Sequence, residues 1–288
     1  MEEAKQTQNK RKKGKGLSAS CIKTVALVCM FIDHFAASVV MRLMYLPEHP
    51  IMQHILGDGD SSQANRLMSG FSQQIWIADL YQWMRNIGRI SFPIYCFFIV
   101  EGFYKTRNRK KYVRRLAACA LLSEIPFDLA IYGKVVYLWH QNVFFSLVIG
   151  LLAIWAMDAL LHMKDMKRQT SILAASCVGL GFALLADLLF VDYYSFGIFT
   201  IIVMYVVRLL TEKKIKFWAP VVFASGAAVL CVLSPGEAWA LLALPLMFFY
   251  RGKKGWNAKW FFYLFYPVHL LVIAILALCM GVITWKLF

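Results

Sequence analysis

Apolar runs of roughly 20 residues recur along this chain, and every second linker between them is crowded with lysine and arginine. A helix of that length, rising 1.5 Å per residue, is what the ~30 Å hydrocarbon core of a bilayer requires. Lipid offers the backbone no hydrogen-bond partners, so a chain of this kind must cross as helices that satisfy themselves. Of the 31 Lys and Arg residues, 25 fall in the N-terminal tail and its junction with the first run, and in 105–115, 164–168, 208–216 and 251–259. The remaining six are Arg42, Arg66, Arg85, Arg89, Lys134 and Lys286. This is the positive-inside pattern, which puts the N-terminus and the basic loops in the cytoplasm. The expectation is an all-α, polytopic integral membrane protein of inner-membrane type with about nine transmembrane helices. The spans fall at 21–45, 87–104, 113–132, 143–161, 171–190, 194–210, 217–233, 238–250 and 261–287. The eighth is short enough to be re-entrant, and Pro93 is expected to bend the second.

The net charge of +15 would suit a nucleic-acid partner if the cations were clustered on one soluble surface. They are instead dispersed between apolar runs, and 60% apolar against 16% charged residues is outside the range of soluble domains. Residues 1–17 read as a basic, disordered cytoplasmic tail, without a cleavable signal, and 18–288 as the membrane domain. Within the polar stretch 47–85, the GDGD turn at 57–60 precedes an amphipathic segment expected to lie on the membrane surface. The seven cysteines are scattered through apolar runs without a CxxC pair and read as buried, inert thiols.

Ionisable residues inside a bilayer are costly and mark functional sites. His34 lies about 20 Å into the first span, with Asp33 beside it but roughly 100° round the helix. Glu124 and Asp128 share one face of the third span at i, i+4. Arg89, Asp187 and His269 come from three further spans, whereas Glu101 and Asp158 read as interfacial carboxylates near Lys or Arg. The loop KTRNRKKYVRR at 105–115 either sets topology and attracts anionic lipid or grips a polyphosphorylated ligand. Walker A, HExxH, GxSxG and nicotinamide-binding patterns are absent from the sequence, and no metal site is expected.

The blocks CIKTVALVCMFIDHF (21–35), IGRISFPIYCFFIVEGFYKTRNRKKYVRRL (87–116), LLSEIPFD (121–128) and YLFYPVHLLVI (263–273) resemble the TraX-like membrane proteins, named after a conjugal pilin acetyltransferase. QNVFFSLVIGLLA (141–153), DYYSFGI (192–198) and ALPLMFFYRGKKG (243–255) extend the match over nearly the whole chain outside the tail and 47–85. A looser similarity links a helix-one His and a late YxxH block to wider membrane acyltransferases. The resemblance implies acetyl transfer in the bacterial cytoplasmic membrane, from acetyl-CoA to an amine or hydroxyl acceptor such as a pilin N-terminus or a small amine. His34 then serves as general base, with Arg89, His269 or a backbone N–H as oxyanion donor and Glu124 or Asp128 orienting the imidazole. Asp33 completes the candidate catalytic set, and Arg107, Arg109, Arg114 and Arg115 are the candidate ligands for the coenzyme A phosphates. This requires spans 1, 2, 3 and 9 to pack together. A proton-coupled transporter or a non-enzymatic assembly factor for a pilus or secretion apparatus would also use buried His and carboxylates, but no internal repeat supports the first.

Overall fold

The computed structural model describes residues 16–44, 63–211, 215, 217–233 and 235–286, with the backbone alone at 63–75 and 233. Most of the expected tail, the GDGD turn and Phe288 lie outside these residues.

Ser18 caps helix α1 (Ala19–Phe35), which continues through a π-helical stretch, Ala36–Val40, into Met41–Met44. Helix α2 (Gln63–Gly88) stops for two residues before α3 (Ser91–Lys105). Asn108 caps α4 (Arg109–Tyr132), which Gly133 ends at φ 68°, and Asn142 caps α5 (Val143–Leu161). Then follow α6 (Arg168–Leu188), α7 (Tyr194–Thr211), α8 (Trp218–Leu233), a 3-10 helix (Pro235–Ala243), α9 (Leu244–Phe248) and α10 (Lys259–Cys279). The described residues contain no sheet, only isolated bridges such as Leu17 to Tyr250 and Lys134 to Lys286.

Among the described residues six helices are long and apolar enough to cross a membrane: Ala19–Met44, Trp76–Lys105, Val143–Leu161, Arg168–Leu188, Tyr194–Thr211 and Lys259–Cys279. Two shorter apolar helices accompany them, Trp218–Val232 and Pro235–Phe248. Helix α4 is long enough but carries Arg115, Glu124 and Asp128 within its apolar part. The protein is an all-α, multi-pass membrane protein. Its outward faces are greasy, with Leu121, Leu173, Leu188, Val232 and Leu264 all more than half exposed, as suits side chains that meet lipid.

Three local expectations give way. The segment from Trp76 does not stay apart as a surface helix but packs on α1, burying Ile77 and pairing Arg85 with Asp33. Pro93 sits in the first turn of α3, where its missing N–H breaks no helical bond, and the chain instead interrupts at Arg89 and Ile90. The last helix stops at Cys279 rather than running to 287, because Gly281 turns at φ 70° and Lys286 N–H then bonds Gly133 O. The short eighth span, 238–250, resolves into the 3-10 helix Pro235–Ala243 and the short helix α9, with Pro245 in the first turn of α9.

Basic linkers meet at one end of the bundle. Lys105 Nζ donates to Gly252 O at 2.8 Å, Ser20 Oγ donates to Lys254 O at 2.8 Å, and Leu17 N–H donates to Phe249 O. At the other end Lys134 pairs with Lys286 and Gln141 with Val191. In a background freed of native cysteines, an impermeant thiol reagent is expected to label Val136→Cys in spheroplasts and Lys110→Cys only after permeabilisation. The opposite labelling would invert the orientation.

Candidate active site

Three helices that run the same way build the site, and each presents its residues in the same order. On α1, Ser20 and Lys23 come first, then Leu27 and Met30, then Asp33 and His34. On α10 the order is Lys259, Phe262 and Tyr263, then Tyr266, then His269. On α4 it is Arg115 and Leu116, then Glu124 and Asp128.

The first members of each series line a cavity of about 490 Å³ at the basic end. Lys23, Lys105, Arg115, Lys254 and Lys259 ring it, while Tyr95, Phe98, Tyr112, Phe144, Phe262 and Tyr263 supply its apolar walls. Lys105 is fixed there by the buried Glu101, at 2.5 Å, and Glu101 is held in turn by Arg208 and Tyr250. The cavity narrows where Tyr95, Phe144, Leu147 and Phe262 also border a second space of only about 10 Å³, closed by Leu27, Met30 and Tyr266.

Beyond this collar stands a pair of histidines. His34 Nδ1 lies 2.8 Å from His269 Nε2, and the two rings stack at 5.1 Å. His269 Nδ1 lies 2.8 Å from Phe265 O, which can only accept, so Nδ1 carries the proton and Nε2 the lone pair. His34 Nδ1 must therefore donate to His269, which leaves His34 Nε2 with its lone pair available as a base. Tyr266 sets its ring edge on both imidazoles, at 5.6 and 5.4 Å. Pro267 supports this geometry: lacking an N–H, it frees Tyr263 O, which Cys119 Sγ takes up at 3.2 Å and so ties α4 to α10.

The other expected members lie apart from this pair. Asp33 accepts from Arg85 at 2.7 Å, and a Cβ at position 88 would run into that carboxylate, so only glycine fits there. Arg89 pairs with the buried Glu237 at 2.6 Å and also hydrogen-bonds Tyr193. Glu124 Oε2 accepts from Asn142, and Asp128 Oδ2 accepts from the Tyr137 N–H at 2.8 Å, so neither orients His34 by a hydrogen bond. The side chain hydrogen-bonded to His34 is His269. Asp187 accepts from the Ser195 N–H, and Asp158 is claimed by Arg109, Tyr205 and His162. Of the four candidate phosphate ligands only Arg115 lines the cavity. Arg109 is drawn to Asp158 and Phe103, and Arg107 and Arg114 are exposed.

Further residues complete the surroundings. Arg85 is the cation whose charge bears on His34, and its i, i+4 spacing to Arg89 is the one local hint. The turn at 190–194 carries Asp192 and Tyr193 into the bundle at a cost: Phe190, Tyr193 and Tyr194 adopt φ of 51°, 61° and 46°. Such left-handed backbone conformations cost about 1–3 kcal/mol each, and the flat stacking of Tyr193 on Phe92 at 3.8 Å helps to offset it. In the loop after α4, His140 meets Tyr132 at 2.5 Å and Asp192 at 3.5 Å. Burial opposes its charge, but the bond and charge of Asp192, with Glu124 and Asp128 behind, raise its pKa above the ordinary histidine value.

No solved structure matches the chain. A curated relative, the probable fimbrial assembly protein FimC, serogroup H1, of Dichelobacter nodosus, is 31% identical over 211 residues, covering 66% of this chain and 81% of the relative. The model of the TraX protein family matches residues 18–277, from the cap of α1 almost to the end of α10, and so takes in the basic cavity, the collar and both histidines. On that match the chain belongs to the TraX family.

Proposed function

We propose that this protein is a membrane acetyltransferase of the bacterial cytoplasmic membrane, moving an acetyl group from cytosolic acetyl-CoA to an acceptor that arrives from the opposite face. The observation that carries this reading is the His34–His269 pair, with a basic imidazole nitrogen set just beyond a cation-ringed cavity. Five cations at the mouth suit a polyphosphorylated donor, and the aromatic walls suit the largely apolar arm that carries its thioester. The relative's name adds a connection to fimbrial assembly, which favours a pilus subunit as the natural acceptor.

His34 Nε2 takes a proton from the acceptor nitrogen as that nitrogen attacks the thioester carbonyl. Its Nδ1–H stays on His269, which stabilises the imidazolium as it forms and holds the ring in place. Arg85, fixed by Asp33, offers positive charge toward the oxyanion. When the carbon–sulphur bond breaks, His34 returns the proton to the departing sulphur, and the pair is reset.

Purified protein given acetyl-CoA and the peptide trialanine amide is expected to release free thiol and yield the N-acetyl peptide. No thiol release with any amine, together with no stabilisation by acetyl-CoA, would overturn the reading. A non-enzymatic assembly role is the second reading, favoured by the relative's printed name. Full pilus assembly supported by His34→Ala would select it.

A further inference from the structure

We propose that Glu124 and Asp128 form a docking site for the acceptor's primary ammonium, on the approach to His34 opposite the basic cavity. This rests on the acyl-transfer reading and narrows it, because it selects amines over hydroxyls. The two carboxylates lie one helical turn apart on α4 and are each half satisfied. Glu124 spends Oε2 on Asn142, and Asp128 spends Oδ2 on the Tyr137 N–H. Glu124 Oε1 and Asp128 Oδ1 are buried and have no hydrogen-bond partner among the described residues, and Asp128 as a whole is only 2% exposed. Buried carboxylate oxygens are costly unless donors reach them, and most such atoms in folded proteins are paired.

The neighbouring groups do not fill the need. His140, whose charge acts on both carboxylates, is engaged by Tyr132 and Asp192. Asn142 gives its side-chain N–H groups to Glu124 Oε2 and Ala120 O, and its carbonyl oxygen caps Phe144. Two carboxylates fall short of the six or more oxygens that a calcium ion takes, and the described residues hold no cluster of three metal-ligating side chains. A primary ammonium brings one positive charge and three N–H donors, enough to serve both oxygens at once. A hydroxyl brings one donor and no charge.

Position fits the role. On α4 the cavity residue Leu116 precedes Glu124 by eight residues, about 12 Å along the axis. Tyr266 joins the two regions: its ring edge rests on His34, and the charges of Glu124 and Asp192 act on it. An ammonium held by the pair therefore waits beyond Tyr266, on the side of the dyad away from the cationic mouth, and leaves one proton on the carboxylates to become the neutral amine that attacks the thioester.

Trialanine amide and its N-acetyl form, added to the purified full-length protein, test the proposal through the shift in melting temperature. The free-amine peptide is expected to stabilise the wild type and the acetylated one is not. The double variant Glu124→Gln, Asp128→Asn keeps an oxygen for Asn142 and for Tyr137 while losing both charges. It should need at least about 10-fold more peptide for the same shift, since a charge-assisted hydrogen bond is worth that much. Its stabilisation by coenzyme A should be unchanged, which checks that it is folded. If it fails that check, Glu124→Gln alone supplies the comparison, with the same expected direction. Equal stabilisation by both peptides, or an unaltered peptide requirement in the variant, would sink the site. Amine binding as expected but without release of thiol from acetyl-CoA would preserve the site and remove the transferase reading.

Discussion

His34→Ala is expected to lower acetyl transfer at least about 100-fold, the smaller end of what a general base contributes. The loss should appear in kcat, with the KM for acetyl-CoA little changed, because His34 stands beyond the collar and does not line the cavity. Folding should survive the change, since α1 is held by Leu27 and Met30 in the main core and by Ser20 against the 251–256 loop. His269→Phe offers a finer test. Phenylalanine keeps the ring stack with Phe265 and His34 but removes the acceptor for His34 Nδ1–H. Its expected effect is a smaller loss, also in kcat, because an unanchored His34 still carries a basic nitrogen. Steady-state rates of thiol release for the two variants check both statements. Wild-type rates in His34→Ala would remove the dyad from the mechanism.

The second large effect belongs to the cationic mouth. Replacing Lys23, Arg115 and Lys254 together by Gln should raise the KM for acetyl-CoA about 10- to 100-fold and leave kcat nearly intact. A hydrogen bond to a charged group contributes about 1.5–3 kcal/mol, and partial exposure at the mouth cuts the share of each cation below that. The wild-type KM should itself rise with salt, as screening weakens exposed charge pairs, and the triple variant should respond less. Arg107→Gln with Arg114→Gln is the matched control, since neither side chain lines the cavity. A control that weakens donor binding as much as the triple variant would return the whole 105–115 cluster to a diffuse electrostatic role.

Much of the fold was legible because hydrophobic runs and charge alternation are local properties of a chain. The span at 143–161 coincides with α5, and 194–210 falls one residue short of α7. The ends at Cys279 and Arg89 were not legible, since they depend on a left-handed glycine and on what α1 presents to Gly88. His34 and His269 stood out as lone imidazoles in apolar helices, but their contact joins residues 235 positions apart, and no spacing encodes that. Arg85 and Glu237 escaped for the same reason: each is explained by a partner far away in sequence. Within 105–115 the linear sequence does not tell which cations line the cavity. On α4 the inward stripe runs through Tyr112, Leu116 and Cys119, so Arg115 follows it inward while Arg114, about 100° away, points out.

The collar between the basic cavity and the histidine pair bears on the membrane as well as on the reaction. A protein that admits one reactant from each face is a potential leak, since water files reaching His34 from both sides would carry protons down their gradient. The space inside the collar is about 10 Å³, the volume of a single water probe, and its walls are Leu27, Met30, Val143, Phe144, Leu147 and Phe262 with Tyr95 and Tyr266. A gap that small with so few polar partners does not sustain a chain of waters. The side chains that narrow the basic cavity toward the histidine pair thus also close the path between the two faces, and a resting copy offers protons no continuous file of water there.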